Sequence, residues 1–306
     1  MMSALTLTLA RRSGRGDSKE AEPRRFKTLR RLARTSSGAV GFALLALVVL
    51  VALAAPILAP AGPDAQHLGD GLKPPAWIVG GSTVHPIGTD SLGRDTLTRV
   101  IWAARTSLAI AGVSVLVALV VGVAVGLISG YYGGGLDAAL MRIVDIQLSF
   151  PYLLLAIAVM ALLKPSLLNL VIVLALRSWV VYARTVRGAV LSLKAREFVE
   201  AARSLGARNA RIIVHHLAPN VMAPIFVISS FQFAELIIAE SSLSFLGLGV
   251  QPPTPSWGAM LSQGREYLST AWWLGLFPGI ALVITVLATN LFGDGLRDAL
   301  DPRLQV

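Results

Sequence analysis

The chain contains no cysteine. Disulfides, thiolate metal sites and a cysteine nucleophile are therefore excluded, while the redox compartment stays undetermined. Charge is scarce too: 14% of the 306 residues are Asp, Glu, Lys or Arg, against about 25% in ordinary soluble domains. None of Lys19, Lys27, Lys73, Lys164 or Lys194 follows a glycine, so the Gly-Lys-Ser/Thr ending of a phosphate-binding loop is missing. ATP hydrolysis is not expected of this chain. A secretory leader is not expected either, because MMSALTLTLARRSGRGDSKE places its apolar stretch before its arginines, the reverse of a signal peptide. No internal repeat of apolar segments is visible, although many self-sufficient secondary transporters carry one.

What is present is apolar: 55% hydrophobic residues and a mean hydropathy of +0.68, which makes a bilayer the expected solvent. The net charge of +10 fits nucleic acid, anionic lipid or basic cytoplasmic loops, and position along the chain decides among them. Residues 1–35 form a basic tail, with ten Lys or Arg from Arg11 to Arg34 against Asp17, Glu20 and Glu22. It reads as a solvated segment held near anionic membrane lipid, not as a nucleic-acid site.

A helix needs about 20 apolar residues to cross the hydrocarbon core. Six stretches qualify: 38–59, 106–131, 136–163, 167–184, 217–245 and 271–292. In the second, Gly112, Gly122, Gly126 and Gly130 would let a neighbouring helix approach closely. Pro151 should kink the third. The expected fold is all-α, a polytopic membrane protein of six transmembrane helices. Its parts are the tail, a first span with an external segment through 105, a five-helix core over 106–296 holding a cytoplasmic loop at 185–216, and a C-terminus at 297–306.

Basic residues orient the spans. With both termini cytoplasmic, the cytosol receives the tail, Arg184, Arg187, Lys194, Arg196, Arg203, Arg208, Arg211, Arg297 and Arg303. The exterior then receives only Lys73, Arg94, Arg99, Arg105, Lys164 and Arg265.

The cytoplasmic loop carries Glu197-Phe198-Val199-Glu200-Ala201-Ala202-Arg203-Ser204-Leu205-Gly206. Phe198, Ala201, Ala202 and Leu205 recur at the spacing of one helical face, Gly206 permits a left-handed cap, and Pro219 suits the start of the next span. Such a helix either lies on lipid or docks in a groove of another protein; its residues alone divide the two evenly.

Glu200-Ala201-Ala202, three residues, Gly206, then His216 and Pro219 resembles the EAA motif of ABC importer permeases, with Ala218 where leucine is commoner. Segments 88–95, 239–249 and 293–302 are similar to the C-type permease of dipeptide, oligopeptide and nickel importers. The resemblance runs from about Pro60 to the end of the chain. It implies a type I ABC importer permease fold in the cell membrane, with an ATPase-coupling loop formed by Glu200, Ala201, Ala202, Leu205, Gly206, His216 and Pro219. It also implies a homologous permease partner, two ATP-binding subunits holding ATP and Mg, and an extracytoplasmic substrate-binding protein. The resemblance leaves the solute open among a dipeptide, a longer peptide, nickel and another compound of that subfamily; no cofactor or metal is expected on this chain.

Asp90, Arg94, Asp95 and Trp257 are then the candidates for receptor docking, although Asp90 and Asp95 also suit turn and helix caps. Arg177, Glu235 and Glu240 fall inside spans, where ionisable groups are costly and mark a pathway by default. Arg177 and Glu235 each lie about 15 Å from the outer ends of their spans, a common depth that invites pairing. Arg142 and Asp145, three apart, are expected to satisfy each other. His215 and His216 suit helix-end packing better than metal binding. Two other classes compete: an ion-coupled secondary transporter, and a membrane enzyme using Ser241 or Ser242, whose distance from the histidines along one helix argues against it.

Overall fold

The computed structural model describes residues 36–300, so the basic tail and residues 301–306, with Arg303, lie outside the description. In chain order the main helices are α1 (Ser36–Leu53), α2 (Thr96–Tyr132), α3 (Gly134–Leu148), α4 (Tyr152–Leu163), α5 (Leu167–Leu193), α6 (Glu197–Ser204), α7 (Ala218–Phe245), α8 (Trp257–Arg265) and α9 (Trp273–Leu300). A single isolated bridge, Thr89 to Asp95, is the sole strand-like pairing among the described residues. The expected all-α class therefore holds.

The six expected spans are realised unevenly. Helices α2, α5 and α9 and the continuous run Asn209–Phe245 are long and apolar enough to cross a bilayer. The third expected span is instead two helices, α3 and α4, bent by 88°. Pro151 stands at the break as the cap of α4, and its missing amide proton ends the upstream ladder. The apolar part of α1, Ser37–Leu53, is shorter than a full span. Two expected parts merge: nothing between Thr96 and Tyr132 breaks a helix, so the end of the external segment and the second span are one 37-residue rod. Asp95 caps it by accepting the amide of Thr98 at 2.7 Å.

The bundle is held from inside by two apolar clusters. One gathers Trp257, Met160, Leu236 and Leu243 where α2, α4, α5, α7 and α8 converge. The other joins Tyr182 and Val186 of α5 to Val199, Ile212, Leu217 and Val221, so the loop after α5 belongs to the same core as the spans. The outside remains apolar, with Leu116, Val120, Leu154, Val283 and Leu287 exposed, as a surface bathed in hydrocarbon requires.

The most extensive helix pairing is α2 with α5, and small residues permit it. A Cβ on Gly122 would overlap the Trp179 carbonyl; on Gly126 it would lie 2.7 Å from the Ala183 carbonyl oxygen, and on Gly130 2.8 Å from the Val190 Cβ. Three of the four expected glycines thus form a groove for the α5 backbone. Gly112 faces α7 instead, and its Cβ would meet only Phe233 at an ordinary 3.8 Å.

Gly126→Leu should therefore overpack the α2–α5 seam, at about 1–3 kcal/mol or more because backbone must move. Gly112→Ala should be neutral or stabilising by up to about 1 kcal/mol through helix propensity. Thermal unfolding of the two purified variants checks this, and equal melting temperatures would contradict the groove.

Candidate functional site

Three polar constellations bear on function. The first is the loop after α5. Glu197 and Glu200 occupy the first turn of α6 and Arg203 its last, the charge order that a helix dipole favours. Val199 and Ala202, at i and i+3, are the buried side. Phe198 and Ala201 are exposed, and Leu205 is 88% exposed. The expected single apolar face is thereby corrected: Ala202 turns inward with Val199, while Phe198, Ala201 and Leu205 form an uncovered outer facet. The helix needs both sides because it packs on Ile212 and Leu217 beneath.

Gly206 closes α6. Its φ is +79°, its amide donates to the Arg203 carbonyl at 2.9 Å, and the Ala207 amide reaches back to Ala202 at 3.1 Å; together these make a Schellman cap. The next turns are wide, with a π-helical stretch over Ile212–Leu217 in which the Ala218 amide donates to the Ile213 carbonyl. Pro219 supplies the reason: it has no amide for the carbonyl four residues back, and a wider turn relieves its ring. His216 sits half-buried in this stretch, its carbonyl accepting from Asn220 Nδ2 at 2.6 Å. No cluster of metal-ligating residues occurs among the described residues.

The loop is fastened to the end of α2. Tyr131 Oη donates to Asn209 Oδ1 at 2.8 Å and Lys194 Nζ to the Gly130 carbonyl at 3.0 Å. Arg187 grips Asp137 with two hydrogen bonds of 2.6 Å, a bidentate arrangement stronger than a neutral one. Sequence reasoning missed this pair, since Asp137 in the first turn of a helix reads simply as a dipole partner.

The second constellation is at the other end of α2. The Asp90 carboxylate accepts from the Leu92 amide at 2.9 Å, the Arg94 amide at 3.0 Å, Arg94 Nε at 2.7 Å and Arg99 Nη1. Arg99 also donates to Gln263 Oε1 at 3.2 Å. Asp90, Arg94 and Arg99 are buried. Trp257 is 1% exposed, its indole N–H donating to the Val100 carbonyl at 3.2 Å. As surface contacts for a receptor, Asp90, Arg94 and Trp257 are therefore corrected: their side chains lock the external segment and α8 onto α2. Asp95 is spent on its cap and on His85 Nδ1, 3.2 Å away.

The third lies within the spans. Arg177 Nη2 donates to Glu235 Oε2 at 3.0 Å and Nη1 to the Glu235 carbonyl at 3.2 Å, and the guanidinium stands 5.0 Å from the centre of the Tyr152 ring. Both line a cavity of about 300 Å³ with Gln147, Tyr152 and Gln232. Gln232 also escaped sequence reasoning, although its place three residues before Glu235 puts both on one helical face. Glu240 is elsewhere: fully buried, it accepts from Ser244 Oγ at 2.7 Å and Ser107 Oγ at 3.2 Å, a knot between α7 and α2 and not a cavity wall. Asp145 pairs with Arg184 at 2.5 Å and not with Arg142, because the packing of α5 on α3 offers a partner across helices.

This combination of a broken-helix bundle, a fastened loop helix with an open apolar facet, and a charged cavity inside the spans defines a transport-system membrane component. The family model for the inner membrane component of binding-protein-dependent transport systems matches residues 122–306, and that for the N-terminal transmembrane domain of oligopeptide transport permease C matches 26–75. The chain belongs to the first of these families. It is 45% identical over 271 residues to the di/tripeptide transport system permease protein DppC of Pseudomonas aeruginosa, covering 88% of this chain and 89% of that one. With the dipeptide permease DppC of Alkalihalophilus pseudofirmus the identity is 41%, over 91% and 90% of the two chains. The glutathione permease GsiD of Pectobacterium atrosepticum is 46% identical, over 74% and 75%. Among solved structures, an inward-facing MetNI methionine ABC transporter shares the fold with a TM-score of 0.55 at 20% identity, over 67% of this chain and 97% of that one.

Removing the carboxylate at Asp90 leaves Arg94 and Arg99 buried without it. Asp90→Ala should cost about 3–5 kcal/mol, whereas an exposed control such as Asp64→Ala should stay within about 0.5 kcal/mol. Denaturation midpoints of both variants in one detergent decide the matter.

Proposed function

We propose that the chain is one half of a peptide permease in an ABC importer, paired with a homologous permease, driven by two ATP-binding subunits that hold ATP and Mg, and supplied by an extracytoplasmic substrate-binding protein. Peptide as the solute is supported by the names of relatives that align over most of their length. The division of labour is supported by the sequence, in which no lysine stands in a phosphate-loop context.

The observation that carries the reading is the outer facet of α6. An apolar helix side that the chain itself leaves bare, on an element fastened by Arg187, Lys194 and Tyr131, is a rigid knob for a groove on another protein. Both termini and this knob lie in the cytosol, in keeping with the basic residues of the loop. Nucleotide-driven closure of the ATPase pair then moves α6, and the permease halves open alternately to the two sides. Receptor docking falls to surface side chains near the external segment, since Asp90, Arg94 and Trp257 are enclosed.

Gly206 has a φ that proline cannot adopt, and Glu200 lies exposed beside the facet. Gly206→Pro and Glu200→Arg should each lower receptor-stimulated uptake about tenfold or more, as interface hot spots do, while the protein still inserts and assembles with its partner permease. Because the native chain has no cysteine, Leu205→Cys gives a single reporter. A membrane-impermeant maleimide should label it only from the cytosolic face, and the ATPase subunits should protect it. Labelling from outside, or full receptor-stimulated uptake in both other variants, would overturn the reading.

A further inference from the structure

The Arg177–Glu235 pair is an oddity in a span. Charged groups at membrane depth are normally hidden from hydrocarbon, yet here the side chains are 30% and 51% exposed. Arg177 does not reach along its helix toward a headgroup; it turns sideways to Glu235 and stacks on Tyr152. The open side of the pair must then meet something polar.

The cavity beside it holds further unused polar capacity. Among the described residues Glu235 spends only Oε2 on Arg177, leaving Oε1 with no donor. The Tyr152 hydroxyl is buried without any hydrogen-bond partner. Gln232, more than nine-tenths buried, lines the same cavity, and its amide pairs with nothing among the described residues. Gln147, by contrast, is occupied at both ends, donating to the Leu176 carbonyl and accepting from Trp179 Nε1 at 2.7 Å. A buried polar group without a partner is rare and calls for an explanation; the Tyr152 hydroxyl is one, and it shares the cavity with an uncommitted carboxylate oxygen, a glutamine amide and a matched positive and negative charge.

We propose that this cavity is a subsite for a small zwitterion of dipeptide size. Glu235 takes the ammonium group, Arg177 and the Tyr152 hydroxyl take the carboxylate, and the Gln232 amide meets the peptide group. The paired charges sum to zero, so a ligand with separated but balanced charges is matched while a net ion is not. Ligand pockets span about 300–1,000 Å³, and a volume of about 300 Å³ sits at the small end, admitting a dipeptide and not a long peptide. Val159, Val173 and Val180 on the walls suit small aliphatic side chains. The inference rests on the permease reading and adds to it a site on this chain that distinguishes the solute after the receptor has released it.

The test uses the assembled permease–ATPase complex with the receptor left out, and alanyl-alanine as probe in saturation-transfer NMR. Signal is expected for the free dipeptide, with about tenfold weaker response from its N-acetyl or C-amide form, as loss of one charged hydrogen bond predicts. Glu235→Gln and Gln232→Leu should abolish the preference. Tyr152→Phe is the variant least able to disturb folding: deleting an unpartnered hydroxyl should leave or raise the melting temperature while weakening the probe about threefold or more. Uptake should fall in Tyr152→Phe together with probe binding. Equal response from the blocked peptides, or unchanged probe binding in the variants, would overturn the subsite. A wild-type complex that shows the probe preference but no receptor-stimulated hydrolysis would instead overturn the permease reading and leave the subsite standing.

Discussion

The close approach of α2 and α5 is the constraint on which the other features depend. Between helices in lipid there is no hydrophobic drive to associate, so packing must come from backbones brought within van der Waals range. Gly122, Gly126 and Gly130 open one side of α2, and Trp179 through Val190 of α5 fill it. That contact fixes α5, and α5 carries Arg177 into the cavity, Arg184 and Arg187 onto α3, and α6 beyond its end. A side chain at any of the three glycines would displace all of these together.

The charges divide by whether their hydrogen-bonding capacity is used up. Asp90 receives four donors and Glu240 is surrounded by serines; both are closed, buried and far better suited to fastening than to recognition. Arg187 with Asp137 is also closed, through two parallel bonds. Among the ion pairs of the described residues discussed above, the Arg177–Glu235 pair combines depth in a span with exposure and an adjacent cavity. Rarity of charge in the sequence marks all of these positions equally, so it is the neighbours, not the charge, that separate scaffold from site.

Local rules were legible in the sequence wherever one residue determines the outcome. Pro151 breaks a span, Asp95 begins a helix, Gly206 ends one in the left-handed region, and each does so through its own backbone or short side chain. The common depth of Arg177 and Glu235 was also readable, because rise per residue alone supplies it. Burial and partner choice were not. Trp257 looked like a surface aromatic but fills the junction of α8 with α2. Asp145 prefers Arg184 across helices to Arg142 on its own, and the apolar residues of α6 split between two sides. Each of these is decided by which helix lies opposite, information that a single chain of letters does not contain.

For the coupling proposed above, the loop's position in the chain suits a lever. It follows α5 directly and runs through the π turn at Ile212–Leu217 into α7, so the helices on either side of the knob are the ones that bear Arg177 and Glu235. A displacement of α6 is thus applied to both walls of the charged cavity at once. The two connections differ in stiffness: α5 continues unbroken to Leu193 and is pinned by Arg187, whereas the route into α7 passes through wide turns forced by Pro219. Unequal stiffness turns a common push into relative motion of the two helices. A salt bridge of 3.0 Å held by side chains 30% and 51% exposed is a contact that such relative motion can open and remake at low energy, which is what the proposed subsite, if it is to hold and then release a solute, requires.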